Sequence, residues 1–311
     1  MAENTSNTPF DDVYRTLAVK TKRLMIPLIN FMFNRQYPMD IPIVNLSNEA
    51  YTPENEKLCT DAKFAIGNRE DVIYNIFIIE EQTNQDNTIP IRLYEYMLSH
   101  ASSTLNDGYK HGKIIIPSVG VLNLRGNNEE IPMKLVHTNG EIDVTMKNFS
   151  MKKSDGLEYL VEHKLYCLMP YFAFSIENRL KRADNETAKE LYKAELEQYH
   201  SLLKKAQENG DISDDEAYTL MELKNNVVNH MNFGNNDVSI KEVEKMTGRV
   251  LEIQYETRYN EGVQAGMQAG REEMRQEMMS KMEEKDKEIA KLQRQIMMMS
   301  KSSKPVASRG R

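Results

Sequence analysis

Apolar side chains recur every three or four positions near the start of the chain, at Val13, Leu17, Leu24, Leu28, Phe31 and Met32. This spacing predicts an amphipathic helix that begins at Asp11. The helix should end by Tyr37, because the proline at 38 disfavours helical geometry in the residue before it. Residues 1–10 are mostly polar, and we expect them to be disordered.

Two segments rich in β-branched and aromatic residues follow, at 59–66 and 72–79. Between them lies the sequence GNRED, whose composition is typical of a turn. The two segments therefore predict a β-hairpin. A turn centred near residues 68–70 would place Asp61 opposite residues 77–79.

The rest of the first half alternates between helix and strand signals. Thr88, followed by a proline in the first turn, predicts a helix that runs to about Ser103. We expect a further strand at 113–125 and a second hairpin at 133–149, with Thr-Asn-Gly as its turn. The order of helices and strands over residues 11–156 indicates an α/β domain with a mixed sheet.

Beyond residue 156 the pattern is nearly all helical. Residues 157–258 predict a helical extension that packs its apolar face on the sheet domain, and residues 259–299 predict one long helix. Residues 300–311 are basic without an acid, and we expect a disordered tail. An alternating four–three spacing near the end of the long helix predicts a coiled coil and self-association, at Met278, Met282, Lys285, Ile289, Leu292, Ile296 and Met299.

Composition narrows the class of protein. The 311 residues include 40 Lys and Arg against 47 Asp and Glu, and the net charge of -7 argues against a generic basic coat for nucleic acids. This net charge does not exclude a nucleic-acid enzyme, because the metal ligands of such enzymes are themselves acidic. The two cysteines lack zinc-site spacing. No signal peptide and no apolar stretch of the ~20 residues that a bilayer requires is recognisable, so we expect a soluble, cytoplasmic protein.

Acidic residues occupy the far end of the predicted hairpin. By the two-residue period of a strand, Glu80 and Gln82 share one face, and Asp61 and Lys63 share one face of the partner strand. Asp61 and Glu80 then point to the same side, close together. A bound cation would stabilise such a pair, and oxygen ligands favour Mg²⁺ or Mn²⁺ over zinc. The alternative is a pair of acids that is simply exposed at the strand ends.

The hairpin and the segment after it carry an ordered series of residues. Asp61 is followed by Glu80 and Gln82 in IEEQT, and then by Arg92 and Glu95 in DNTIPIRLYEY. In this series the chain resembles the PD-(D/E)XK nuclease superfamily, in the branch of Rpn-type recombination-promoting nucleases and transposase-like proteins. The resemblance spans most of residues 11–262, and continues through DDVYRTL, IPSVGVLNLR, YCLMPYFAFSIE and MTGRVLEIQYETRYNEG.

The resemblance implies a fold and an activity. The fold would be a restriction-endonuclease-like α-β-β-β-α-β core, and the activity a Mg²⁺-dependent hydrolysis of DNA phosphodiesters that promotes recombination. Asp61, Glu80 and the backbone carbonyl of Glu81 would hold the metal. The metal would polarise the scissile phosphate and lower the pKa of an attacking water.

One position departs from the superfamily pattern. Members usually carry a lysine two residues after the glutamate, where this chain has Gln82, as in the branch that it resembles. Glutamine cannot act as a base and can only orient water by hydrogen bonds. Asp12 on the first helix either adds a carboxylate or only caps the helix, and Arg92 either clamps a phosphate or pairs with Glu95. Lys63 either replaces the missing lysine charge or is a solvated lysine.

The sequence therefore predicts a metal-dependent DNA endonuclease with a helical extension and a C-terminal coiled coil. An alternative of another class stays open. The chain would then be a catalytically inactive nuclease-like module that binds DNA or protein and self-associates through its tail.

Overall fold

A computed structural model describes residues 9–51, 57–67, 75–84, 86–103, 116–126, 130–152, 154 and 156–302. The chain divides into two compact units, Met1–Tyr255 and Glu256–Arg311. Disorder is predicted for residues 1–10 and 300–311, of which 1–8 and 303–311 lie outside the described residues. The prediction is wrong for Pro9 and Phe10 and for residues 300–302, which are helical.

The first helical region consists of three pieces rather than one helix. They are α1 (Pro9–Lys20), a 3-10 turn (Lys22–Leu24) and α2 (Met25–Phe33). Helix α1 begins two residues before the predicted start, because the Phe10 ring is buried against Phe174 at a centroid distance of 5.2 Å. Helix α2 ends where Asn34 adopts a left-handed conformation with φ of 50°, a common way to stop a helix.

Mixed pairing defines the sheet, which confirms an α/β fold. Strand β5 pairs antiparallel with β4 and parallel with β6, and β6 pairs parallel with β8. The main sheet has the order β1-β4-β5-β6-β8-β7, and β2 and β3 form a separate ribbon. The strands are β1 (Ile43–Asn45), β2 (Glu49–Tyr51), β3 (Lys57–Cys59), β4 (Ala62–Ile66), β5 (Ile76–Gln82), β6 (Ser118–Asn123), β7 (Glu130–His137) and β8 (Gly140–Ser150).

Helices cover both faces of the sheet. Helix α3 (Ile89–Ser103), at the predicted position, packs through Leu93 onto Ile78 of β5. Helices α1 and α2 pack on the opposite face, where Phe77 and Ile79 belong to the larger core. Side chains of β5 therefore alternate between two buried faces, which explains why all seven of its residues are buried.

The C-terminal helices of the first unit are not a separate domain. They are α4 (Leu157–Glu162), a 3-10 segment (Tyr166–Tyr171), α5 (Phe172–Arg182), α6 (Asn185–Glu208), α7 (Asp214–His230), a 3-10 turn (Gly234–Asn236), α8 (Asp237–Val243) and a π-helical turn (Glu244–Gly248). One continuous hydrophobic core runs from Phe10 to Ile240. Ser213 and Glu216 form the capping box that starts α7.

The second unit is formed by the long helix α9 (Arg249–Ser302), whose first residues belong to the first unit. The residues of the predicted coiled-coil seam, which have the alternating four–three spacing, are exposed where the structure describes their side chains. The side chains of Ile296 and Met299 are not among those described. Within the described part of the chain, every helix is too short or too polar to cross a membrane.

Candidate active site

Asp61 and Glu80 meet at the open end of the β4–β5 ladder. Ala62 pairs with Ile79, so Asp61 lies opposite Glu80. The sequence-based prediction, which placed Asp61 opposite residues 77–79, is therefore wrong. The Asp61 backbone N–H donates to Glu80 Oε1 at 2.9 Å. The residues are only 6% and 3% exposed. The structure thus brings two buried carboxylates together on adjacent strands.

Burial controls the charge of this pair. Burial is the largest cause that raises the pKa of Glu80, to about 8, and the negative charge of Asp61 raises this pKa further. Burial also raises the pKa of Asp61, although the Glu81 N–H and Arg15 oppose the shift. A cation between the carboxylates would remove the cost of holding both charges in a desolvated place.

The ladder opens in a way that turns the Glu81 backbone toward Asp61. The register would pair Glu81 with Thr60, but the Thr60 N–H donates to the Asn48 carbonyl at 2.9 Å. The Glu81 N–H donates instead to Asp61 Oδ2 at 3.0 Å. Because the N–H and C=O of a strand residue point to the same edge, the Glu81 carbonyl also faces the Asp61 side.

The Glu81 side chain points to the opposite face of the sheet, toward α1. Thr83 donates its hydroxyl to Glu81 Oε1 at 3.0 Å. Burial, followed by a hydrogen bond with Asp11 and the charge of that residue, raises the pKa of Glu81 to about 10. Glu81 is therefore a neutral acid at physiological pH, and Asp11, not Asp12, is the helix residue beside the site.

Two guanidinium groups flank the carboxylates. Arg15 on α1 donates from Nη2 to Asp61 Oδ1 at 3.0 Å. Arg92 on α3 places Nη2 3.9 Å from Glu80 Oε2 and Nη1 3.3 Å from Asp86 Oδ2. Among the described ion pairs these are the partners of Arg92, so the pairing with Glu95 that the sequence suggested is replaced by one with Asp86. Sequence reasoning assigned no role to Arg15.

The other candidate residues, Gln82, Asp12 and Lys63, lie in three different environments. Gln82 is 7% exposed on the Glu80 face, and its Nε2 has no hydrogen-bond partner among the described atoms. Asp12 is exposed at the start of α1, where its backbone carbonyl accepts the Thr16 hydroxyl. Lys63 is half-buried on β4, and its charge helps burial to lower the pKa of His100 to about 4. Lys63 therefore lies near His100 on the α3 side.

The residues present fit a magnesium ion that keeps much of its water. Among the described residues, no three His, Cys, Asp or Glu side chains form a metal-binding group. Mg²⁺ is commonly held by one or two carboxylates, with waters and substrate phosphates as the other ligands. Asp61, Glu80 and the Glu81 carbonyl would supply that number of protein ligands. The unpaired Gln82 amide on the same face would donate to a bound water.

Comparison with protein-family models, with curated proteins and with solved structures finds no match for this chain. The geometry of the site and the series Asp61, Glu80, Gln82 and Arg92 are therefore the basis for a proposed function.

The neutral state of Glu81 leads to a prediction about pH. The ordinary pKa of 4.5 applies to the unfolded chain and about 10 to the folded one, so the folded protein binds the extra proton between these values. Stability from this group is thus complete at low pH and declines as the pH rises toward 10. Glu81→Gln cannot ionise at this position. We therefore expect its free energy of unfolding, relative to that of wild type, to increase by up to ~4 kcal/mol from pH 5 to pH 8.

Urea unfolding at the two pH values, in EDTA, measures this difference. Glu95→Gln on the exposed face of α3 is the control and should follow wild type. An identical pH dependence of the unfolding free energy in wild type and Glu81→Gln would show that Glu81 is already charged in the folded protein.

Proposed function

We propose that the chain is a divalent-metal-dependent DNA endonuclease of the PD-(D/E)XK type. The observation that carries the proposal is the buried Asp61–Glu80 pair at the point where the β4–β5 ladder opens. Such a pair is costly unless a proton or a cation neutralises it. The helix before the strands, the mixed sheet and the Arg-bearing α3 support the proposal. The α-β-β-β-α-β core and the DNA substrate rest on the resemblance.

The residues of the chain have separate tasks in this proposal. Asp61, Glu80 and the Glu81 carbonyl would hold the metal, which would polarise the scissile phosphate and lower the pKa of a bound water. Arg15 fixes the Asp61 carboxylate by its hydrogen bond to Oδ1. Arg92, 40% exposed at its side chain, can move from Asp86 to a phosphate oxygen. Gln82 orients the attacking water with its amide, and a solvent base accepts the proton.

A second candidate function has an observation of its own. Arg15 is hydrogen-bonded to Asp61, and Arg92 lies 3.9 Å from Glu80, so each acid has a cationic neighbour without a metal. Gln82 also stands where the superfamily carries a lysine. A protein that has lost catalysis would keep such ion pairs to preserve its fold. The chain would then be a nuclease-like binding module.

Metal binding separates the two functions. We expect Mg²⁺ or Mn²⁺ to raise the melting temperature of wild type, because a ligand that binds only the folded state stabilises it by ~2.7 kcal/mol at one hundred times its Kd. Glu80→Gln should abolish the effect while remaining folded, since a glutamine oxygen can still accept from the Asp61 N–H and burial already raises the pKa of Glu80.

Glu95→Gln serves as the matched control on the exposed face of α3, and should retain the metal-induced stabilisation. A wild-type melting temperature that is the same in EDTA and in saturating metal would refute the metal site and favour the binding module. A metal effect that persists in Glu80→Gln would place the ion elsewhere.

A further inference from the structure

A hydrophobic stripe runs along α9 in the second unit. Between residues 263 and 302 every side chain that the structure describes is exposed. In this stripe the exposed fraction of the residue is 67% for Met278, 63% for Met282, 51% for Ile289 and 52% for Leu292. Helices in water gain most of their stability from packing an apolar face. A partner that covers the stripe would therefore stabilise the helix.

We propose that this partner is a second copy of the same helix, parallel and in register. In the heptad of α9, Met282, Ile289 and Ile296 occupy the a positions, while Leu292 occupies a d position. Isoleucine at a with leucine at d favours a parallel pair of helices. The seam is self-complementary, since each helix offers the same knobs and holes to the other.

The charged positions beside the seam support the parallel orientation. Lys281 occupies a g position and residue 286, an aspartate, the e position that follows. In a parallel pair the g position of one helix lies beside the next e position of the other, so opposite charges meet twice. The Lys281 ammonium is at present bonded to Glu277 at 2.6 Å on the surface and is 66% exposed, which leaves it free to exchange partners.

Lys285 has a specific role in this arrangement. It occupies a d position in an otherwise apolar seam and is exposed in the single helix. A polar residue at one core position selects register and number of helices at a cost in stability. Two lysines can extend their ammonium groups sideways into water from a two-helix layer. A third helix would add another like charge to the same layer, so Lys285 favours two.

The first test measures the mass of the full-length protein by light scattering. We expect twice the chain mass of 36.0 kDa for wild type and for Ala290→Asp, an outward b position. Leu292→Asp should give the single-chain mass, because it buries two carboxylates in the seam. A wild-type monomer, or an assembly of more than two chains, would overturn the proposal.

The second test determines the orientation. In a Cys59→Ser background, Leu292→Cys places two thiols in one layer of a parallel pair, within the reach of a disulfide. We expect nearly complete oxidative cross-linking of Leu292→Cys and little of Ala290→Cys, with the buried Cys167 unreactive in both. A dimer in which neither variant cross-links would contradict the parallel arrangement. Neither test depends on the proposed nuclease activity.

Discussion

Glu80→Gln is expected to lower Mg²⁺-dependent DNA cleavage at least about a thousandfold, with the fold intact. A metal ion contributes several kcal/mol to the transition state of phosphate transfer, and each 1.4 kcal/mol corresponds to a factor of ten. Glu80 is 3% exposed and bonded to the Asp61 N–H, which a glutamine oxygen can still accept. The variant therefore removes a metal-binding charge and little else.

Asp61→Asn should have a similar effect on cleavage, and both losses are measured as initial rates of plasmid nicking. Glu95→Gln removes a carboxylate from the exposed face of α3 and should stay within about twofold of wild type. If Asp61→Asn and Glu80→Gln both cleave at the wild-type rate, the site is not at this hairpin.

Glu244→Gln is expected to destabilise the first unit by about 3–5 kcal/mol, the usual result of removing one partner of a buried ion pair. Glu244 accepts from the fully buried Lys224 ammonium and from the Tyr192 hydroxyl. The variant leaves the Lys224 charge without a counterion in the core formed by α6, α7 and the π-helical turn. Urea denaturation, with the midpoint and slope both recorded, measures the loss.

Two companion variants separate the cost of an unpaired buried charge from the cost of losing any ion pair on these helices. Asp237→Asn removes the partner of Lys241 in a half-exposed pair on α8, and should cost less than about 1 kcal/mol. Replacement of both Lys224 and Glu244 by apolar residues should recover much of the lost stability. A Glu244→Gln variant as stable as Asp237→Asn would show that water reaches this pair in the folded protein.

The hairpin and its acid pair were predictable because strands have a short, strict period. Alternation along β5 places Glu80 and Gln82 on one face whatever the turn, but the pairing with Asp61 also depends on the register of the hairpin. The position opposite Asp61 was wrong by at least one residue, since it depends on a turn that lies outside the described residues. A shift of one residue would have moved Glu81, not Glu80, to this face.

Side chains contributed by distant helices could not be predicted in the same way. Asp11 and Asp12 differ by about 100° around α1, and only the packing of Phe10 and Leu17 into the core decides which of them faces Glu81. Arg15 lies 46 residues from Asp61, and no local pattern connects them. The Lys224–Glu244 pair is likewise a contact between separate helical segments that sequence spacing does not report.

The measurement that tests the central claim most directly is plasmid nicking by the wild-type protein, with Mg²⁺ or EDTA in parallel. We expect conversion of supercoiled plasmid to nicked or linear DNA with Mg²⁺, none with EDTA, and none by Glu80→Gln from an identical preparation. A folded wild-type protein that binds Mg²⁺ at this site and leaves every plasmid intact would contradict nuclease activity. Gln82 in the place of lysine would then be the first residue to replace.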